Sequence, residues 1–313
     1  MKILITGGSG FVGSHLCDFL LQEDHEIVIA VKSNNKLNNI KHISSQIETV
    51  KVDVSNYDQI KNCIINCKPD IIFHLAGETS HKKSFETPID DIKSNSISTL
   101  NILETIKQLE LNCRFILGST FIVIGKGASL PINEKTPCNP STIYGAHRLL
   151  SEHYCKIYHN VYGLDTIIFR ITNCFGPREQ YETPNKNAIN FMIYNAYKNQ
   201  DVSIYHEGKF LKDIIFVSDV INALNVIMKN GKSGNVYWIA NGTKTWFSEF
   251  GKCLEELTNA RVNYVPSPEY ASKVDVGDFV VDNSKLCSLG WAPKIFLKDG
   301  VQKTIDFFKE KNL

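Results

Sequence analysis

Hydrophobic and polar positions follow two alternating rhythms through the first half of the chain. Short apolar runs at Ile3-Leu4-Ile5, Ile27 to Val31, Glu48 to Val52, Ile71 to Ala76, Arg114 to Leu117 and Thr166 to Phe169 read as strands. Between them the apolar residues recur at helical spacing: Phe11, Val12, His15, Leu16, Phe19 and Leu20, then Asp58 to Cys67, Ile92 to Leu109 and Tyr144 to Tyr162. Regular β-α alternation predicts an α/β fold, a doubly wound parallel sheet with right-handed crossovers. After Phe175 the rhythm loosens. Residues 176–186 are polar and turn-rich, Asp213 to Met228 and Val236 to Ala240 resume sheet-and-helix patterning, and Leu297, Val301, Ile305 and Phe308 mark one face of a last amphipathic helix. The division expected is a sheet domain over 1–170, rejoined by 214–245, with a smaller α/β substrate-binding cap over 171–213 and 246–313.

The first strand stops at Thr6-Gly7-Gly8-Ser9-Gly10-Phe11-Val12-Gly13, and a helix follows at once. Gly7, Gly10 and Gly13 stand three apart. Two are expected to adopt backbone angles closed to other residues, and the third to let helix and strand pack closely. Backbone N–H groups at the start of that helix, with the helix dipole behind them, favour a pyrophosphate. A glycine triplet alone could be a tight βα turn, but its place between strand and helix is the context that the dinucleotide fingerprint requires. Ligands of such sheets lie beyond the carboxyl ends of the strands.

Composition narrows the class further. The chain has 313 residues with a net charge of +1, which predicts no electrostatic pull towards nucleic acid or acidic membranes. The first strand begins at residue 2, leaving no room for a signal peptide, and no apolar run approaches membrane-spanning length. The nine cysteines are scattered, and Cys63 and Cys67, one turn apart, lack the partners that a zinc site needs. Reduced thiols, a cytoplasmic location and no metal are expected.

Tyr144-Gly145-Ala146-His147-Arg148 opens the long helix after the polar loop Asn139-Pro140-Ser141-Thr142, and residues four apart share a helix face. Together with the glycine turn, this resembles the extended short-chain dehydrogenase/reductase family of nucleotide-sugar epimerases, dehydratases and ketoreductases. Matching pieces occur in family order: Asp53-Val54, His74-Leu75-Ala76-Gly77-Glu78, Asn95 with Thr99, Gly118-Ser119-Thr120, and Tyr144 with a basic residue four on. Arg170 to Pro177, Lys212 to Asp219 and Leu289-Gly290-Trp291 complete the series.

The resemblance implies that Tyr144 is a general acid or base on a sugar hydroxyl or carbonyl, and that Thr120 hydrogen-bonds the reacting oxygen. Hydride would move between that carbon and a nicotinamide. It further implies that Gly7, Gly10, Phe11, Val12, Gly13, Lys32, Asp53, Val54, Leu75, Ala76, Gly77, Asn95, Tyr144 and Arg148 hold the cofactor. Glu78, Thr120, Asn173 and Lys212 would meet the substrate. Two departures stand out. Arg148 occupies the family's lysine position, and a guanidinium stays charged but cannot relay a proton by losing one. Three readings follow: an active enzyme with a shifted helix, a slow enzyme, or a silent cofactor-binding relative; the retained Tyr144 and Thr120 favour activity. Phe121 and Ile122 stand where dehydratases carry an Asp-Glu pair, which disfavours elimination and decarboxylation.

At the end of the second strand Val31, Lys32 and Ser33 replace the usual ribose-binding acid, so NADP(H) is expected, with NAD(H) the alternative. That leans towards a 4-keto sugar-nucleotide reductase; a nucleotide-sugar 4-epimerase is the close second. Lys212 replaces an arginine of the family's phosphate clamp, and Asp275 falls where a second is expected, with Lys273 or Lys209 as compensating charges. His81, Lys82 and Lys83 could steer an anionic substrate or form a solvated loop. His147 and His153 are read as packing or interface residues. By resemblance, helices 92–109 and 144–162 pair with a second subunit in a homodimer.

Overall fold

The computed structural model describes residues 1–33, 37–184, 187–267, 269 and 274–313. The elements run β1 (Lys2–Thr6), α1 (Phe11–Gln22), β2 (Glu26–Val31), β3 (Glu48–Lys51), α2 (Tyr57–Cys67), β4 (Ile71–His74), α3 (His81–Glu86), α4 (Pro88–Ile92), α5 (Ser98–Gln108), β5 (Arg114–Thr120), α6 (Ile143–Tyr162) and β6 (Thr166–Ile171). They continue with β7 (Asn173–Phe175), α7 (Ala188–Tyr197), β8 (Val202–Tyr205), β9 (Leu211–Lys212), β10 (Ile214–Phe216), α8 (Val217–Asn230) and β11 (Val236–Ile239). Last come β12 (Thr245–Trp246), α9 (Phe247–Leu257), β13 (Val262–Val265), α10 (Ser284–Cys287) and α11 (Leu297–Glu310).

Seven strands form one parallel sheet in the order β11-β6-β5-β4-β1-β2-β3. The order reverses between β1 and β4, so a crevice opens beyond their carboxyl ends. Because side chains alternate across a strand, Ile3 and Ile5 face one layer and Leu4 the other. Ile3 and Ile5 join Leu16 and Leu20 of α1 and Leu224 of α8, while Leu4 joins Ile60 and Ile64 of α2, Ile102 and Ile106 of α5, and Cys155 of α6. This two-sided burial explains why the sheet strands read as continuous apolar runs.

Beyond β6 the strands form three small pairs: β7 with β10, β8 with β13, and β9 with β12. Within 214–245, β10 therefore pairs with β7, whereas β11 extends the large sheet.

Three differences from the sequence expectation bear on the site. The 92–109 helix is interrupted: α4 leads through a π-helical turn, Lys93–Ile97, into α5. Hydroxyls there bond back to the preceding turn, Ser94 Oγ to the Asp90 carbonyl at 2.9 Å and Ser98 Oγ to the Ser94 carbonyl at 2.7 Å. His81, Lys82 and Lys83 begin a short helix, capped by Ser80 Oγ accepting from Lys83 N at 3.2 Å. Helices α7 and α9 are not among the elements that the sequence pattern predicts.

Candidate active site

The turn after β1 is shaped by missing Cβ atoms. Gly7 has φ +75°, and a Cβ there would lie 2.7 Å from Ala76 N on the neighbouring β4 loop. At Gly13 a Cβ would lie 2.3 Å from the Gly7 carbonyl, so the third glycine does let α1 pack closely. Gly10 corrects the expectation: it is the N-cap of α1 with φ −77° and ψ −173°, extended backbone rather than a left-handed angle. Its missing Cβ instead spares the Gly7 carbonyl, 3.1 Å away. Gly8, overlooked in the sequence, sits where a Cβ would be 2.7 Å from Ile29 Cγ2. No side chain caps α1 and no acid lies in its first turn, Phe11 and Val12 being the first two residues. The dipole there is left for an external anion.

The β4 loop is anchored from below. Leu75 N donates to the Thr6 carbonyl at 3.1 Å and Ala76 N to Thr6 Oγ1 at 3.2 Å. Thr6 Oγ1 also bonds His74 Nδ1 at 2.7 Å, whose Nε2 lies 3.1 Å from Ser98 Oγ. Burial, with a smaller push from the Arg148 charge, drives the His74 pKa down to about 3, so the ring is neutral. His74 thus ties β1, β4 and α5 together beneath the crevice.

Tyr144 is the second residue of α6. Thr142 Oγ1 caps that helix by accepting from Gly145 N at 3.0 Å. The Tyr144 N–H donates to Ser84 Oγ at 3.2 Å, its ring lies 5.3 Å from the His81 ring, and the Arg148 guanidinium stands 6.0 Å from its ring centre. Thr120 ends β5, its Oγ1 accepting from Ile122 N at 3.3 Å. A Cβ on Gly145 would come within 3.0 Å of Ile122 Cγ2, so the first turn of α6 sits directly on the turn after Thr120. Tyr144, Arg148 and Thr120 are therefore gathered at the carboxyl edge of the sheet.

Arg148 and Asn95 fit a ligand that the protein alone does not supply. Arg148 is 5% exposed and Asn95 0%. Arg148 Nε and Nη1, and both polar atoms of the Asn95 amide, are buried without a hydrogen-bond partner. Unpaired buried donors and acceptors of this kind are costly and call for a bound partner. A Cβ on Gly77 would lie 2.3 Å from Asn95 Oδ1 and 3.4 Å from Arg148 Nη1, so both groups close on the β4 loop. The ribose of a dinucleotide with its pyrophosphate on α1 would offer the oxygens these groups lack.

Other predicted residues are already engaged. Lys32 Nζ pairs with Asp53 Oδ2 at 2.8 Å, so the expected phosphate-binding cation and adenine contact hold each other. Against desolvation, the Lys32 and Ser55 hydrogen bonds keep the Asp53 carboxyl below its usual range. The Val54 carbonyl accepts from Asn101 Nδ2 at 3.2 Å. Glu78 pairs with Lys83 at 2.6 Å, and Asn173 Nδ2 donates to the Asp213 carbonyl at 3.0 Å. Lys212 Nζ is bound by Asp275 Oδ1 and the Gly277 carbonyl, each at 2.9 Å. Lys209 pairs with exposed Glu207 at 2.5 Å; Lys273 lies outside the described residues. His147 Nδ1 bonds buried Asp91 Oδ1 at 2.7 Å, and His153 is exposed.

One buried group escaped the sequence reading. Glu152, one turn beyond Arg148, accepts from Ser119 Oγ at 2.6 Å and from Arg170 Nε and Nη2 at 2.9 and 2.7 Å. It joins α6 to β5 and β6 next to Thr120. Arg170 also stacks 5.3 Å from the Trp238 ring centre. Among the described residues, no three His, Cys, Asp or Glu side chains are grouped to hold a metal ion.

A parallel sheet of this order, a glycine-lined turn at a helix N-terminus and a helix-start tyrosine above a strand-end threonine define a Rossmann-type oxidoreductase of the extended short-chain dehydrogenase/reductase class. The model of the NAD dependent epimerase/dehydratase family matches residues 3–240, and the chain belongs to that family. It is 29% identical over 311 residues to a putative UDP-glucose 4-epimerase of Methanocaldococcus jannaschii, covering 99% of both chains. It is also 29% identical over 339 residues to the dTDP-glucose 4,6-dehydratase of Haemophilus influenzae, covering 98% of each. The crystal structure of Thermotoga maritima UDP-glucose 4-epimerase with UDP-glucose superposes with a TM-score of 0.92 at 26% identity, covering 100% of both chains.

Proposed function

We propose that this protein is an NAD-dependent nucleotide-sugar epimerase that inverts a carbinol carbon, C4 in the first instance, through a transient ketone. The observation that carries the reading is the gathering of Thr120, Tyr144 and Arg148 where Phe121 and Ile122 leave no acid or base for elimination. NAD, held by the glycine turn, Asn95 and Arg148, would supply a reversible hydride acceptor at the sugar carbon. Tyr144 takes the proton from the sugar hydroxyl and gives it back, with Arg148 one turn further along the same helix face. Thr120 donates its hydroxyl proton towards the reacting oxygen.

Epimerase is preferred to the 4-keto reductase because of the rim of the adenosine site. With Asp53 paired to Lys32, the free cation that favoured NADP(H) is neutralised, and a 2′-phosphate would have to displace a carboxylate. NAD(H) is the cofactor this arrangement suits, and redox-neutral turnover needs no external reductant. The named epimerase relatives support the same choice. The substrate class is a nucleotide-diphosphate sugar, held by Asn173 and by Lys212 once its pair with Asp275 yields.

The outer face of α6 presents Ile157 and Val161, 50% and 65% exposed, beside half-buried Leu150. That stripe supports a homodimer through α5 and α6. Nine free thiols suit a cytoplasmic setting, and among the described residues no helix is long and apolar enough to cross a membrane.

The test is turnover by purified protein, without added cofactor, on UDP-, dTDP-, CDP- and GDP-hexoses followed by chromatography. Interconversion of a C4 epimer pair is expected, with Tyr144→Phe at least about 100-fold slower. NADPH-dependent consumption of a 4-keto sugar alone would favour the reductase. Unchanged turnover in Tyr144→Phe would remove the tyrosine mechanism.

A further inference from the structure

We propose that Gly77, Asn95 and Arg148 form one steric unit, in which the absent side chain at position 77 is what admits an arginine at 148. The inference rests on the dinucleotide reading of the crevice and concerns how this chain's own residues make it.

Gly77 needs explaining because its backbone does not require glycine. It is not among the residues at positive φ, so an alanine could adopt its conformation. What excludes a side chain is one contact: the Cβ would stand 2.3 Å from Asn95 Oδ1, well inside van der Waals distance, with Arg148 Nη1 bordering the same position at 3.4 Å, an ordinary contact.

Asn95 cannot retreat by moving its backbone. Its carbonyl accepts from Ser151 Oγ and Thr99 Oγ1, each at 2.9 Å, and the adjacent Ser96 Oγ donates to the His147 carbonyl at 2.8 Å. Ser151 and His147 flank Arg148 on α6, so the π-helical turn carrying Asn95 is stapled to the same stretch of helix. An alanine at 77 must therefore turn the Asn95 amide, and the guanidinium, whose Nη1 lies 3.4 Å from the same Cβ position, borders the space in which it turns. A planar guanidinium buried at 5% exposure has little freedom to yield. A lysine there would place a single ammonium on a flexible stem and leave the amide room to turn.

The unpartnered atoms give the arrangement its purpose. Arg148 Nε and Nη1 and the Asn95 amide are all unpaired and buried, so they are kept open for ligand oxygens rather than spent on each other. Crowding at 77 would force them into mutual contact and close that set.

The experiment is a double-mutant cycle with wild type, Gly77→Ala, Arg148→Lys and the double variant. NADH dissociation constants come from fluorescence titration and melting temperatures from the unliganded proteins. Gly77→Ala is expected to weaken NADH binding at least about tenfold in the arginine background and less than about threefold in the lysine background. Its loss in melting temperature should likewise be smaller with lysine. Equal losses in both backgrounds overturn the proposal. If Gly77→Ala does not fold alone, recovery of a cooperatively melting double variant supports the unit, and failure of the double variant overturns it. Wild-type protein that binds neither NAD+ nor NADH defeats the dinucleotide reading instead, and the coupling is then decided by the melting temperatures.

Discussion

Residues that bear charge in this crevice are mostly paired across long sequence separations. Lys32 finds Asp53, Lys212 finds Asp275, Glu152 finds Arg170 and His147 finds Asp91. None of these partnerships is visible in a one-dimensional pattern, which is why Lys32 and Lys212 read as free cations. The glycine turn was legible from its place between strand and helix, and Tyr144 and Thr120 from the family motifs they match. Asp213 supplies a prediction at this scale. It is buried, and desolvation raises its pKa to about 6 although Asn241 N, Gly242 N, Val281 N and Thr172 Oγ1 all donate to it. A folded-state pKa above the unfolded value of 3.8 means its protonated form is favoured by folding. Its contribution is therefore complete below about pH 4 and lost as pH rises through about 6. In urea titrations the stability advantage of wild type over Asp213→Asn should shrink between pH 4.5 and pH 7. An advantage that grows over that interval would reverse the assigned sign.

Helix α6 carries the site because its register is fixed from both sides. Tyr144, Arg148 and Glu152 repeat every four residues on its inner face, and Glu152 locks that face to β5 and β6. Both members of the Glu152-Arg170 pair are buried, so removing one leaves an uncompensated charge. Glu152→Ala is expected to lower stability by about 3–5 kcal/mol in chemical denaturation. A loss under about 1 kcal/mol would mean water reaches the pair. The long helices and sheet strands were plain in the sequence, whereas α7, α9 and the short α3, α4 and α10 were not. In α7, Ala188–Tyr197, apolar residues surround the axis, so no 3.6-residue stripe stands out. Helix α3 has six residues, less than two turns. Helix α9 has the expected amphipathic spacing and could have been found. The π-helical turn at Lys93–Ile97 leaves no trace in hydrophobic period, only the serines that bond back within it.

At the scale of the molecule, the glycine turn, Thr120, Tyr144 and Arg148 lie at the carboxyl edge of the parallel sheet, and Asn173 and Lys212 lie in the small strand pairs beyond β6. The Lys212-Asp275 pair sits among those small pairs, where the family resemblance puts a phosphate clamp. Asp275 there balances the Lys212 charge, so on the proposed reading a diphosphate competes with a carboxylate for that cation. The apolar stripe on α6 is the basis of the proposed homodimer. Light scattering should give twice the chain mass of 35.3 kDa, and Ile157→Glu with Val161→Glu should halve it. A monomeric wild type would contradict the interface.

The central claim is that one hydride leaves a sugar carbon and returns to it inside a protein that keeps its own cofactor. Proton NMR of the converted nucleotide sugar in D2O tests this directly. The account predicts an inverted carbinol carbon that still carries protium, with no deuterium at the neighbouring carbons and no cofactor added. Deuterium at the inverted carbon, or no conversion of any nucleotide hexose by protein carrying NAD, would contradict it.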